Sequence, residues 1–206
     1  MQSAFLSFLQ YIRDSIIPPR PTERIVRTLT PVDVQSMRVH ESGALSYHDP
    51  LVRALVWEVK YYANPHAAAL CGEMLAEALL AIASDHVGTP LLIPIPMHST
   101  RRKERGHNQT EVLAEAALAH TGAIFEYAPH LLKRVVHTAQ QQGLPQHKRV
   151  KNVAGSMRVT NPEKVKGRTC VILDDVSTTG ATFDEAIRAL KKAGAGEVTC
   201  ISLAQS

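Results

Sequence analysis

Residues 171–182 read Val-Ile-Leu-Asp-Asp-Val-Ser-Thr-Thr-Gly-Ala-Thr, which sets two carboxylates directly before a run of hydroxyl-bearing and small residues. A turn built from Val176, Ser177, Thr178, Thr179, Gly180, Ala181 and Thr182 can wrap a phosphate with backbone N–H and side-chain O–H donors. Asp174 and Asp175 cannot meet that phosphate favourably, so they must face something else. Neighbouring diol hydroxyls, or water on a bound Mg²⁺, are the chemically sensible partners for adjacent anionic acceptors. A phosphate and a diol one sugar apart describe a ribose 5-phosphate. The same residue types also start turns and cap helices in proteins that bind nothing there. What favours a ligand is the setting: a buried strand, then the acidic pair, then the hydroxyl turn, then a helix whose N-terminal N–H groups and dipole attract anions.

That setting requires specific elements. Residues 169–173 read as an apolar strand, 181–193 as a helix closed by Gly194, and 197–203 as a further strand. Upstream, residues 91–96 (Leu-Leu-Ile-Pro-Ile-Pro) suit another strand, with prolines where ladder pairing stops, and 97–107 its exit loop. Asn108 with Glu111 predicts a capping box at the head of the next helix. Asp49-Pro50 and Asn64-Pro65 are two helix starts, the first helix ending near Lys60 and the second carrying Leu70, Met74, Leu75, Leu79 and Ile82 on one face. Strands alternating with helices predict an α/β fold with a mainly parallel sheet flanked by helices. Residues 133–152 are polar and basic, and read as either a mobile loop or a small flap. Pro18, Pro19, Pro21 and Pro31 predict an extended stretch after the first amphipathic segment. The expected organisation is an N-terminal arm or hood over 1–42 and one domain over 43–206.

Composition narrows the classes. The chain has 206 residues and is 45% hydrophobic, enough for one substantial core. Its net charge of +4 is mild for a dedicated nucleic-acid binder and suits a small polyanion. Cys71, Cys170 and Cys200 form no C-x-x-C pair and read as small buried apolar residues. No basic residue precedes the apolar stretch near the N-terminus, and no run reaches the roughly 18 uninterrupted apolar residues of a membrane span. A soluble, cytoplasmic protein without a membrane span is expected.

The turn at 171–182 resembles the motif with which type I phosphoribosyltransferases bind phosphoribosyl pyrophosphate (PRPP). Two further segments extend the likeness. Residues 93–98 (Ile-Pro-Ile-Pro-Met-His), Arg101 and 105–109 (Arg-Gly-His-Asn-Gln) look like the proline-containing strand and R-G-F-N-Q signature of the ComF family. Arg134, Thr138, Gln141, Leu144, Arg149 and Asn152 are similar to that family's R…T…Q…L…R…N spacing.

The resemblance implies a type I phosphoribosyltransferase fold and a Mg²⁺-dependent transferase acting on PRPP. Asp174 and Asp175 would serve the ribose, touching Mg²⁺ only through PRPP and water. Pro96 and His98 would lie in the loop that approaches the pyrophosphate, with Arg101 and Arg105 as its clamps. Residues 133–152 would be the flexible loop that closes over the reacting centre, with Thr138, Gln141, Lys148 and Arg149 in it. Lys60-Tyr61 resembles a family position too, but reads more simply as the polar end of a helix, and Trp57 as a core or interface aromatic. A second implied reading is a PRPP-binding protein without catalysis that handles single-stranded DNA in competence, and a homodimer is one option. Two departures matter. The four-cysteine zinc finger usual at the family's N-terminus has no counterpart in 16–24, so no zinc is expected, and His107 replaces the usual aromatic residue before Asn108. His98, His137 and His147 are assigned no metal role. No N-terminal cysteine is present to act as a glutaminase nucleophile.

Overall fold

A computed structural model describes Asp14 and residues 18–39, 42–135 and 155–206. Strand β1 (Leu45–Ser46) precedes helices α3 (Pro50–Tyr62) and α4 (Pro65–Ser84), after helices α1 (Pro21–Thr28) and α2 (Pro31–Ser36). Then come β2 (Leu91–Pro94), α5 (Ser99–Arg105), α6 (Gln109–Thr121), β3 (Glu126–Tyr127), β4 (Leu132–Arg134), β5 (Met157–Val159), α7 (Pro162–Val165), β6 (Cys170–Ser177), α8 (Ala181–Lys192) and β7 (Val198–Gln205). Five strands form one sheet in the order β1-β7-β6-β2-β3, every pair parallel. Strands β4 and β5 make a separate antiparallel hairpin. This is the α/β, mainly parallel architecture expected.

Side-chain alternation splits the core into two layers. Leu92, Val171, Leu173 and Leu203 belong to the layer packed by α1 to α4 and α6. Leu91, Ile93, Cys170 and Ile172 belong to the opposite layer, covered by α8 and the β4–β5 hairpin. Cys71 and Cys170 are buried and Cys200 partly so, all three as free thiols, and burial pushes the Cys170 thiol up to about 11.

Several expectations are corrected. Residues 18–31 are not extended: Pro21 sits in the first turn of α1 and Pro31 in that of α2, where a missing N–H costs nothing. Val26, Leu29 and Val34 are buried in the same layer as α3 and α4. Arg20 and Thr22 reach the fully buried Glu58 on α3, at 2.7 Å and 2.6 Å, and Asn64 adds a third donor at 2.9 Å. The exit loop of β2 contains the helix α5, ended by Gly106 at φ 86°. Asn108 caps α6 by accepting from the Thr110 N–H, and its amide donates to Glu111 rather than forming the reciprocal box. Trp57 is no core residue, being 46% exposed.

Helix α4 is, among the described residues, the one helix long and apolar enough by composition to cross a bilayer. Its Ala67, Leu70, Cys71, Met74, Leu75 and Leu79 are buried instead against neighbouring helices. Gly72 is what lets α6 approach: a Cβ there would lie 2.6 Å from the Ala116 carbonyl carbon. Gly72→Ala should therefore destabilise the protein by about 2 kcal/mol, the usual cost of overpacking, although alanine is the better helix former. Urea denaturation checks this, and unchanged stability would show that α4 and α6 can part without cost.

Candidate functional site

The carboxyl ends of β2 and β6 open into a cleft of about 380 Å³. Strand β6 runs further than its apolar residues suggest. Pairing with β7 continues from Cys170 opposite Val198 to Ser177 opposite Gln205, so the acidic pair lies within the strand rather than beyond its end. Both carboxylates are nearly buried, Asp174 at 7% and Asp175 at 8% exposure. The Asp175 N–H donates to Asp174 Oδ1 at 2.9 Å. Burial, then the neighbouring Asp175, push the Asp174 carboxyl well above the usual carboxylate range.

After Ser177 the chain turns through Thr178 and Thr179 to Gly180, whose φ of 76° suits glycine, and enters α8. Helices α3, α4 and α6 are capped by Asp49, Asn64 and Asn108. Helix α8 starts on Gly180 and has no side-chain cap. The hydroxyls of Ser177, Thr178 and Thr179 therefore line the cleft without acting as caps of α8. The turn retains the N–H groups, dipole and hydroxyls that suit an oxyanion.

The opposite rim comes from the β2 exit. Pro96, Met97, His98, Arg101, Arg105, Asn108 and Gln109 all line the cleft. The Ile95 carbonyl accepts from Thr110 Oγ1 at 2.7 Å and Asn108 Nδ2 at 3.1 Å, which fixes the strand end to the head of α6. Arg105 Nη1 donates to Gln109 Oε1 at 2.8 Å, and its guanidinium lies 4.9 Å from the Tyr61 ring centroid. Half-buried Arg134 closes the floor, its Nε donating to the Pro96 carbonyl at 3.2 Å. Burial lowers its pKa, Asp174 opposes that shift, and Arg101 adds to it. His107 does not reach the cleft lining; its Nε2 lies 3.1 Å from the Val59 carbonyl.

The cleft thus brings together Asp174, Asp175, Arg101, Arg105, Pro96, His98 and the turn at 176–182. Thr138, Gln141, Lys148 and Arg149 lie outside the described residues, as do His137 and His147. Sequence reading undervalued Lys60 and Tyr61, which line the cleft together with Tyr47 and Phe183. A signal existed: Trp57 and Tyr61 are spaced i,i+4 with the buried Val52, Val56 and Val59 on other faces of α3, so an outward aromatic pair was readable.

Among the described residues no three or more His, Cys, Asp or Glu side chains gather to hold a metal ion, so Asp174 and Asp175 could meet a hard divalent cation only with oxygens from another source. Two adjacent carboxylates supply only oxygen, and their mutual repulsion in a dry setting would be relieved by added positive charge.

Residues 60–206 match the family model described as the phosphoribosyl transferase domain. The chain is 33% identical over 159 residues to DNA utilization protein YhgH of Salmonella typhi, covering 75% of this chain and 67% of that protein. It is 32% identical over 117 residues to competence protein F of Haemophilus influenzae, covering 56% of this chain and 50% of that protein. It is 30% identical over 117 residues to competence protein ComFC of Bacillus subtilis, covering 56% of this chain and 45% of that protein. The chain thus spans between about half and two thirds of the relatives it matches, and the likeness to the ComF family is borne out.

Proposed function

The chain belongs to the phosphoribosyl transferase domain family, and from that membership we propose that it binds PRPP in the cleft and transfers the 5-phosphoribosyl group to a nucleophile, releasing pyrophosphate. One observation carries this reading. An acidic pair embedded in β6 runs without a break into the turn before the uncapped α8, so residues suited to a diol and to an anion line one cleft.

The turn at 176–182 would hold the 5′-phosphate. Asp174 and Asp175 would accept from the ribose hydroxyls and stabilise the positive charge that grows on the ring as the C1–O bond breaks. The leaving pyrophosphate keeps the electron pair of that bond, and the nucleophile's lone pair forms the new bond to C1 and sheds its proton to solvent. Arg101 and Arg105, at the β2 exit with Pro96 and His98, would take the pyrophosphate charge, guanidinium being suited to forked contact with phosphate oxygens. Mg²⁺, held through PRPP and water beside Asp174 and Asp175, would neutralise charge on the leaving group.

The test is pyrophosphate release from PRPP and Mg²⁺ across a panel of nucleobases and amines. Release with at least one acceptor is expected, with a loss of about 100-fold in Asp175→Asn, in line with removing a charge-stabilising group. No release from any acceptor would overturn the transferase reading.

A second reading is favoured by the relatives named for DNA utilization and competence: PRPP binding coupled to handling of single-stranded DNA. It predicts salt-sensitive gel shifts of single-stranded oligonucleotides. Absence of any shift at low salt would eliminate it.

A further inference from the structure

Helix α8 carries a buried acid outside the cleft lining. Glu185 is 4% exposed and stands one turn past Ala181, on the same buried face of the helix. Its Oε1 accepts from the Met157 N–H at 2.9 Å, and the Gly155 N–H donates to the same carboxylate. Arg188 adds Nε at 2.7 Å and Nη2 at 2.8 Å. Burial would raise the Glu185 pKa, but Arg188, Met157 and Gly155 outweigh burial and the net shift is downward, so the group is an anion at neutral pH. Met157 is the ladder partner of Arg134 in the β4–β5 hairpin. Strand alternation turns Arg134 inward with the buried Leu132 while Lys133 faces out, and the inward turn carries its Nε to the Pro96 carbonyl at the cleft.

We propose that Glu185 is a positioning residue: by holding the Met157 N–H it fixes the β4–β5 hairpin on α8, and through the hairpin it sets Arg134 as a third cation for the pyrophosphate end of the ligand. The inference rests on the PRPP reading and adds two residues to it. Arg134 lies within electrostatic reach of Asp174 and of Arg101. A half-buried guanidinium beside a second guanidinium is unfavourable in an empty site and favourable around a polyanion. The pyrophosphate group of PRPP carries more negative charge than the guanidinium groups of Arg101 and Arg105 match, which leaves room for a further forked donor. A hairpin with three residues in each strand is marginal by itself and does not set where Arg134 lies. Helix α8 begins at the turn at 176–182, so the Glu185 contact keeps Arg134 at a fixed spacing from the 5′-phosphate end of the same ligand.

The experiment titrates the full chain with Mg²⁺ against PRPP, ribose 5-phosphate and inorganic pyrophosphate by calorimetry. Ribose 5-phosphate lacks the pyrophosphate end, and inorganic pyrophosphate is that end alone. Arg134→Gln should weaken PRPP and pyrophosphate by about tenfold, the loss of one charge-assisted contact, and ribose 5-phosphate by no more than about threefold. Glu185→Ala should repeat the pattern at about fivefold, while Glu185→Gln, which keeps an oxygen for the Met157 N–H, should recover most of that loss. The double variant Arg134→Gln with Glu185→Ala should bind PRPP no more weakly than Arg134→Gln alone, because both changes act through one guanidinium. If Glu185→Ala does not fold, Glu185→Asp, which withdraws the carboxylate by one methylene, takes its place with the same expectation. Equal losses for PRPP and ribose 5-phosphate, unchanged PRPP affinity in Arg134→Gln or Glu185→Ala, or additive losses in the double variant would overturn the inference. PRPP affinity of the unmodified protein separates the two levels: its absence sinks the PRPP reading, whereas its presence with any of those outcomes sinks the role of Glu185 and Arg134 alone.

Discussion

Ligand-free protein carrying Asp174→Asn is expected to be more stable than the parent at neutral pH, by roughly 1 kcal/mol, while losing PRPP binding, the trade expected where a charge is kept for function rather than folding. Asp174 is nearly buried and adjoins Asp175, and both features hold its carboxyl well above the usual range. A carboxyl whose folded pKa is raised supports folding fully below its unfolded pKa, about 3.9, and loses that support as pH rises through the folded pKa. Asparagine keeps the oxygen that accepts from the Asp175 N–H and removes the charge. The gain should therefore appear at pH 8 and vanish near pH 4. Thermal melts of both proteins across that range provide the check. A parent more stable than the variant at pH 8, or a gap of the same size at pH 4, would contradict the assignment of a burial cost to this carboxylate.

Glu58→Ala carries the largest expected loss, about 3 kcal/mol, because it breaks a hydrogen-bonded ion pair whose acid is out of water and leaves Thr22 and Asn64 without this acceptor, even though Arg20 keeps Glu23 at 3.2 Å. Glu58 accepts from Arg20, Thr22 and Asn64, which ties the N-terminal side of α1 to α3 and the head of α4. Burial alone would raise its pKa, but these donors outweigh burial and the net shift is downward. The sign is opposite to that of Asp174: Glu58 contributes above its unfolded pKa, about 4.3, and the contribution is lost as pH falls through the folded value. Arg20→Ala should also be costly, since it leaves the fully enclosed Glu58 carboxylate without its counter-charge and dependent on Thr22 and Asn64. Urea denaturation at pH 7 and pH 4 measures both, and a loss under about 1 kcal/mol in Glu58→Ala would mean that the tie is solvated rather than buried. Because α3 also carries Lys60 and Tyr61, a loosened α3 should disturb the cleft as well as the core.

The parallel sheet was legible because β2 and the first half of β6, Cys170 to Leu173, are continuous apolar runs, and because Asp49, Asn64 and Asn108 announce their helices with local cap chemistry. The turn at 176–182 was legible as a strand-to-helix turn for a similar reason: strand, acid, hydroxyl, glycine and helix are contiguous in sequence. What escaped depends on distant partners. Strand β6 extends through Asp174 to Ser177 because β7 supplies ladder partners up to Gln205, and nothing local in an acidic pair signals that. Helices α1 and α2 are short, and their burial depends on α3 and α4 rather than on their own propensity. The prolines that suggested an extended arm occupy first-turn positions, where proline is tolerated. Arg134 enters the cleft by reaching the Pro96 carbonyl 38 residues away, a contact no spacing rule foretells.

The most direct test of the account is a calorimetric titration of the full chain with PRPP in the presence of Mg²⁺, beside Asp175→Asn and Asp174→Asn. Saturable one-site binding by the parent and a weakening of at least about tenfold in both variants, or 1.4 kcal/mol, are predicted. Equal binding by all three proteins, or no binding by the parent, would contradict the assignment of the β6 acidic pair and the α8 turn to one PRPP site.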